Sequence, residues 1–389
     1  MSKEAVIVSA VRTAIGRAGG MLGRIPPQYY GAEVIKEALR RINLEPMLVE
    51  DVIMGNCLNA GGNIARLCAL QAGLPVDIPG ITIDRQCGSG LNAVNLAAQA
   101  VMAGMGDVFI AGGVESMSLR PYVMEHNEFF SKTPPKFRLG FQLSPDEIGN
   151  PEMGITAENL AAKYNISREE QDAFALASQQ KMARAQAEGV FKSQIVPLAV
   201  PQGKKPPIIF DTDEHPRPES TMEGLAKLPP AFKKDGSVTA GNSSGINDAA
   251  AAVIVMSADK AKELGLKPMA KIRTFAVAGV DPNIMGIGPV PATRKALRQA
   301  GLALTDIDLI ELNEAFAAQC LAVDRELHFD MSKVNVNGGA IAHGHPIAAT
   351  GAILTTKLVY EMERRDVQLG LITACIGGGQ GIATIFERI

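Results

Sequence analysis

Two stretches of this chain repeat one another at a near-constant separation, and that constrains the fold more than any other feature. Ala38–Arg41 opens a run through Leu44, Asp51 and Ile53 to Asn56, and Ala296–Gln299 opens one through Leu302, Asp308 and Ile310 to Asn313. Carried forward by 258 positions, the offset places Cys87 on His345. Two halves built on one pattern must bury equivalent faces against each other, so equivalent residues near the pseudo-twofold axis meet. A thiol and an imidazole at equivalent points suggest one active site on that axis.

A length of 389 residues suits two or three packed units. The net charge of −3 and the absence of long Lys/Arg runs argue against a nucleic-acid partner. Five cysteines (Cys57, Cys68, Cys87, Cys320 and Cys375) are scattered without CxxC spacing, so neither a zinc site nor a disulfide framework is expected. That pattern suits reduced thiols in a cytoplasmic protein. The start, Met-Ser-Lys-Glu-Ala-Val-Ile-Val, reads as a first strand rather than a signal peptide. Residues 88–106 carry no charge, but Asn92, Asn95 and Gln99 interrupt them. A buried central helix fits this stretch better than a membrane span, and no span is expected.

Short β-branched runs alternate with helical patterns, which argues for α/β packing. The first half predicts strands at Ala5–Ser9, Asp51–Met54, Ile81–Asp84 and Val108–Ala111. Helices are expected at Gly31–Ile42, Ile64–Ala72 and Gly90–Ala103. The second half predicts helices at Ala292–Ala300, Glu314–Leu327 and Thr350–Arg364, with strands at Leu309–Leu312 and Leu371–Ala374. Between them, Pro-rich and charged pieces (Lys132–Phe141, Pro201–Pro207, Asp211–Pro218) surround helical patterns at Thr156–Tyr164 and Ser167–Glu188. Ser167 and Glu170 have capping-box spacing. The expected division is 1–118 plus 248–266 for the first half, 119–247 for an inserted lid or binding region, and 267–389 for the second half.

Cys87 lies between a strand and a helix in Arg-Gln-Cys-Gly-Ser-Gly, near a helix N-terminus that would lower its pKa and hold an oxyanion. His345, in a Gly-rich stretch ahead of Pro346, can take the thiol proton if it lies within reach. His343, two residues away, shares its face if the chain is extended there. Cys375 ends a strand before Gly-Gly-Gly and can meet substrate closely, either as an acid/base at carbon or as half of a redox pair with Cys87. Asn313 stands at a strand-to-helix junction, where it can orient a water or carbonyl, or simply cap the helix. Gly88-x-Gly90-x-x-Ala93 matches a dinucleotide fingerprint. Asp107 begins the next strand instead of ending it, so that reading fails.

At these positions the chain resembles the thiolase family. The likeness runs through Val-Arg-Thr-Ala-Ile-Gly (11–16), Cys-Gly-Ser-Gly-Leu (87–91), Gly-Gly-Val-Glu-Ser-Met-Ser (112–118) and Thr-Ala-Gly-Asn-Ser-Ser-Gly-Ile-Asn-Asp (239–248). It continues through Asn-Glu-Ala-Phe-Ala (313–317), Asn-Gly-Gly-Ala-Ile-Ala-His-Gly-His-Pro (337–346) and Cys-Ile-Gly-Gly-Gly (375–379). The resemblance implies a five-layered α/β/α/β/α fold of two duplicated halves with an inserted loop domain, in homodimers or homotetramers. It implies Cys87 as the acylated nucleophile, His345 as its base and Cys375 as the acid/base at carbon. A water on Asn313 with His345 would form one oxyanion hole, and the N–H groups of Cys87 and Gly377 the other. Met153, Phe232, Ser244, Ala315 and Phe316 match positions lining the tunnel for coenzyme A, which is a co-substrate, with no tightly bound cofactor implied. The implied reaction is reversible cleavage of a 3-oxoacyl-CoA to acetyl-CoA and a shortened acyl-CoA. A decarboxylating ketoacyl synthase, or a scaffold that only binds acyl-CoA, are the rival readings. Ala348 and Ala349 stand where the family usually has Gly and then Ala, so an added methyl is expected to crowd the catalytic turn. The segment Met124–Pro151 bears on chain-length preference.

Overall fold

The computed structural model describes residues 3–58, 62–124, 134, 136–137 and 141–389. Most of 124–140, including much of the Pro-rich piece at 132–141 and of the chain-length segment, therefore lies outside the described residues.

The first half runs β1 (Ala5–Thr13), β2 (Gly16–Arg17), α1 (Pro27–Arg41), β3 (Asp51–Gly55), α2 (Ile64–Gln71), β4 (Gly80–Ile83), α3 (Ser89–Met102) and β5 (Val108–Ser116). Then come α4 (Met153–Lys163), α5 (Arg168–Ala187), β6 (Ile195–Val196), the hairpin β7 (Leu198–Gln202) and β8 (Lys205–Phe210), and α6 (Met222–Ala226). The sheet resumes with β9 (Asn247–Ser257), followed by α7 (Ala258–Glu263). The second half is β10 (Ala270–Gly279), α8 (Pro289–Ala300), β11 (Leu309–Leu312), α9 (Ala317–Leu327), α10 (Ala340–His343), α11 (Thr350–Arg365), β12 (Leu369–Ile376) and β13 (Gln380–Glu387).

The strand order is β11-β12-β13-β10-β1-β9-β5-β3-β4. Outward from the seam where β1 meets β10, the first half reads β1-β9-β5-β3-β4 and the second β10-β13-β12-β11. Val334 then bridges Ile310 in parallel, at the place β4 holds beside β3. The duplication in the sequence is therefore a duplication of topology. The seam itself is short, with Val6 opposite Lys271 and Ile7 opposite Ala270.

Helices fill three layers around these strands. One core cluster joins α1 and α2 to the outer face of the first-half strands through Tyr30, Val34, Ile35 and Cys68. A second packs α3 and α11 (Leu91, Val94, Leu354, Leu358) between the two halves' strands, against Phe109, Val253, Ile372 and Phe386. A third sets α8 and α9 on the outer second-half face through Val290, Leu297, Ala318 and Val323. The result is the five-layered α/β/α/β/α arrangement. The uncharged stretch read as a central helix is α3, buried between the first-half strands β3, β5 and β9 and helix α11. Among the described residues, no helix is long and apolar enough to cross a membrane.

The insertion is stitched into the core rather than laid over it. Its long helix α5 begins at Ser167 with the expected capping box, in which Ser167 Oγ accepts from the Glu170 N–H and Glu170 reaches back to the Ser167 N–H. β6 adds in parallel to β1. Arg12 of β1 is 1% exposed and makes paired bonds of 2.7 and 3.0 Å to Asp213, while the Ile15 N–H donates to the same carboxylate. Burying both charges costs desolvation, which the paired geometry and the added N–H offset. This accounts for the arginine of Val-Arg-Thr-Ala-Ile-Gly: it anchors the insertion.

The central helices approach so closely that glycine is required where they touch. A Cβ on Gly90 would lie 2.7 Å from the Ala352 backbone nitrogen, and one on Gly351 would overlap the backbone nitrogen of Leu91. Backbone cannot move aside as a side chain can. Gly351→Ala is expected to destabilise by about 1–3 kcal/mol through overpacking. A thermal melt of the variant that matches the unchanged protein would refute this account of the helix contact.

Candidate active site

The strand ends of the two halves and the N-termini of α3 and α11 converge on one region, the usual place for a site in an α/β sheet. Cys87 sits in a short 3-10 turn, Gln86–Gly88, between β4 and α3. Gln86 has φ +46°, a strained left-handed conformation for a residue with a side chain. Asp84 holds it there, accepting from the Gln86 N–H at 2.8 Å and from Gln86 Nε2 at 3.0 Å. Ser89 Oγ closes the turn, accepting from the Arg85 N–H and donating to the Gln86 carbonyl, each at 2.8 Å. The nucleophile candidate thus rides on a rigid elbow.

Cys375, fully buried near the end of β12, lies close enough to Cys87 for a Cys87 thiolate to disfavour the charged form of Cys375. The N–H groups of Gly377 and of Cys87 itself act on the Cys87 sulfur and favour its charged form. These are the two donors expected to form an oxyanion hole. All five cysteines are free. Asn313, one residue past β11, is tied to β12 by its N–H on the Thr373 carbonyl at 3.0 Å. Its Nδ2 lies 3.5 Å from His345 Nε2, and its buried Oδ1 has no partner among the described residues. The reading of Asn313 as a helix cap is corrected. Residues 313–316 do not continue into a helix as expected, because Ser243 bridges Phe316 and the Ser244 N–H donates to the Ala315 carbonyl at 3.0 Å. α9 starts only at Ala317, with Phe316 as its N-cap.

His345 is held at three points. Its N–H donates to Asn247 Oδ1 at 3.0 Å, its ring Nδ1 lies 2.6 Å from Thr350 Oγ1, and Nε2 faces Asn313. The Thr350 hydroxyl donates to the Pro346 carbonyl at 3.1 Å, so its oxygen is left to accept from Nδ1–H. That assigns the tautomer with a free Nε2 lone pair, the form a general base needs. Asn247 and Thr350 were not singled out in the sequence, since neither adjoins His345 in a recognisable motif. The extended chain that would put His343 on the face of His345 is not found. His343 ends α10, Gly344 turns the chain at φ +100°, and His343 Nδ1 bonds the Gly344 carbonyl at 2.8 Å. The Ala348 carbonyl occupies the space a Cβ on Gly55, Gly90 or Gly113 would need, so those glycines let the catalytic turn approach the first half.

The remaining candidates form a second cluster toward the insertion. The Phe232 and Phe316 rings meet edge-on with centroids 6.1 Å apart. Gly154, next to Met153, packs on the Phe232 ring, and the Met153 sulfur lies 3.6 Å from where a Gly377 Cβ would be. Ser244 is bonded to Ala315 as above. This cluster therefore runs from the Cys375–Gly377 loop outward to a groove of about 450 Å³ lined by Pro230–Asp235, including Lys233 and Lys234. Among the described residues no group of three or more His, Cys, Asp or Glu side chains could hold a metal.

Comparison with known proteins agrees with this architecture. Residues 5–259 match the thiolase N-terminal domain and 266–388 the thiolase C-terminal domain. The chain belongs to the thiolase family. It is 53% identical to the acetyl-CoA acetyltransferase of Chromobacterium violaceum, over 99% of this chain and 100% of that protein. The crystal structure of the Bacillus anthracis acetyl-CoA acetyltransferase superposes with a TM-score of 0.94 at 45% identity, covering 100% of this chain and 99% of that one. Human mitochondrial 3-ketoacyl-CoA thiolase gives a TM-score of 0.92 at 43% identity, covering 99% of each chain.

The electrostatics differ from the expectation of a lowered thiol pKa. Burial pushes the Cys87 thiol up to about 11, with Glu115 and Asp84 adding to the rise, and outweighs the N–H groups that pull it down. Burial also lowers His345 to about 4. The resting pair is thus neutral thiol and neutral imidazole rather than thiolate and imidazolium. At pH 8 the neutral thiol dominates. Alkylation of Cys87 by iodoacetamide in the free enzyme, followed by peptide mass spectrometry, should therefore keep accelerating up to pH 10. A rate that levels off near pH 7 would mean an ion pair instead.

Proposed function

We propose that this protein is a thiolase in activity as well as in family: an acyltransferase that reversibly cleaves a 3-oxoacyl-CoA with coenzyme A. The observation that carries the reading is the meeting of two thiols, Cys87 and Cys375, under the Gly377 N–H. One thiol alone could transfer an acyl group. The second supplies the proton that carbon–carbon cleavage requires. A decarboxylating ketoacyl synthase would hold His or Asn where Cys375 stands, and a scaffold would have no reason to keep all three groups.

In this mechanism the Cys87 sulfur attacks the 3-keto carbon as its proton passes to His345 Nε2. The neutral resting pair suits a transfer that occurs only as the bond forms. The oxyanion is stabilised by a donor pair already in place, so little reorganisation is needed. Collapse breaks the bond between the α and β carbons, leaving acyl-Cys87 and the enolate of acetyl-CoA. Cys375 protonates the enolate carbon, while His345 and a water on the unpartnered Asn313 Oδ1 hold its oxygen. A second coenzyme A thiol then attacks acyl-Cys87; its proton restores Cys375 to the thiol form, and His345 returns its proton to the departing Cys87 sulfur. The reverse sequence is a Claisen condensation.

Coenzyme A enters here as a substrate, with no tightly bound cofactor. Its pantetheine arm is assigned to the channel of Met153, Phe232, Ser244, Ala315 and Phe316. Lys233 and Lys234 at the mouth suit its phosphates. The insertion at 119–247 covers this channel, between halves at 1–118 plus 248–266 and 267–389. We further assign a cytoplasmic location and a homodimer or homotetramer.

Brief exposure to acetoacetyl-CoA should place an acetyl group on Cys87, seen by mass spectrometry and lost in Cys87→Ser. Cys375→Ser should still acetylate but lose exchange of the acetyl-CoA methyl protons with solvent. Label on another residue, or turnover that requires a malonyl donor, would defeat the assignment.

A further inference from the structure

The strand pairing reveals which first-half residues stand where the second half keeps its catalytic groups. In the second half Leu312 pairs with Thr373; Asn313 follows by one residue and Cys375 by two. In the first half Gly55 pairs with Gly113, so Asn56 is the counterpart of Asn313 and Glu115 the counterpart of Cys375. Glu115 is 0% exposed, and no cation pairs with it among the described residues. A buried carboxylate without a counter-charge is costly, and hydrogen bonds must hold it.

Those bonds come from two places at once. Asn56 Nδ2 donates to Oε1 at 3.2 Å, and the Leu58 N–H to the same oxygen at 3.1 Å. The Cys57 N–H donates to Oε2 at 3.2 Å, and the Ala348 N–H to Oε2 at 3.1 Å. The first three belong to the turn after β3. The fourth belongs to the other half, three residues past His345, on the turn that leads into α11. Asn247 already holds that turn at the His345 N–H. Glu115 holds its other end.

We propose that Glu115 is a positioning residue for His345, clamping the His345–Ala349 turn to the first half so that the imidazole stays aligned with Cys87. It acts through the backbone and touches no substrate. The carboxylate is needed because all four partners are donors, which an acceptor-only group alone can satisfy. In Glu115→Gln the amide NH2 must face an N–H, so the clamp opens although size and shape are unchanged. The counterpart of an acid/base thiol has thus become a fixed anchor for the other half's base.

The inference rests on the thiolase reading, and the experiment separates the two. Unchanged full-length protein is first shown to acetylate Cys87 from acetoacetyl-CoA; failure at this stage would sink the thiolase reading rather than the role of Glu115. Single-turnover acetylation and steady-state thiolysis are then compared in Glu115→Gln and Glu115→Asp. Displacement of a catalytic group by roughly an ångström costs on the order of 100-fold. Acetylation and kcat should therefore fall about 10- to 100-fold in Glu115→Gln, with KM for coenzyme A within about twofold, the signature of a lost transition-state alignment. Glu115→Asp, which keeps the charge on a shorter stem, should recover part of the rate. Acetylation at the unchanged rate, or kcat and KM failing together, would overturn the positioning role. So would the failure of both variants to fold, since Glu115 would then be only a structural anchor.

Discussion

The backbone contact between α3 and α11 is the constraint on which the rest depends. Gly90 against Ala352 and Gly351 against Leu91 let two helix N-termini touch in the central layer, where any side chain would hold them apart. Cys87 lies in the turn that leads into one helix and His345 in the turn that leads into the other, so this contact draws the two turns toward one another. It also fixes the layer order. Helices packed this tightly on each other must each turn an outer face to a sheet, and the two sheets must then bury their far sides under α1, α2, α8 and α9.

Symmetry supplies the scaffold and its breaking supplies the chemistry. Cys87 and His345 occupy equivalent places, as do Asn56 and Asn313, and Glu115 and Cys375. With the same side chains on both sides, the site would have two nucleophiles and no base, or two bases and no nucleophile. Divergence at each pair fits the proposed roles, in which one half contributes the nucleophile and the other its base and the acid/base thiol. The insertion enters between β5 and β9, where the second half has only the tight loop between β12 and β13. One half could take a long insertion there while the other kept a short glycine loop after Cys375.

Much of the fold could be read before the structure. The period of apolar runs located most strands and helices within a few residues, and the Ser167–Glu170 box marked the start of α5 because capping is a local interaction. The misreadings share a cause. Asn313 looked like a cap since it follows a strand and precedes a helical pattern, yet pairing with Ser243 and Ser244, some seventy residues earlier, keeps 313–316 out of the helix. His343 would accompany His345 only on extended chain, but it ends α10 and Gly344 turns the chain with a positive φ. Glu115 and Asn247 stand in recognisable motifs and Thr350 in none, yet no role can be read for any of the three, since their partners are ones that local sequence does not name.

The sequence by itself determined the duplication, the alternation of strand and helix, and the identity of the groups able to do chemistry, because these depend on order and spacing along the chain. Only the tertiary structure decided their state. A helix N-terminus argues for a lowered thiol pKa, and the enclosed site reverses that by desolvation, leaving Cys87 and His345 both neutral. Burial is a sum over neighbours drawn from both halves and the insertion. No short stretch of chain contains it.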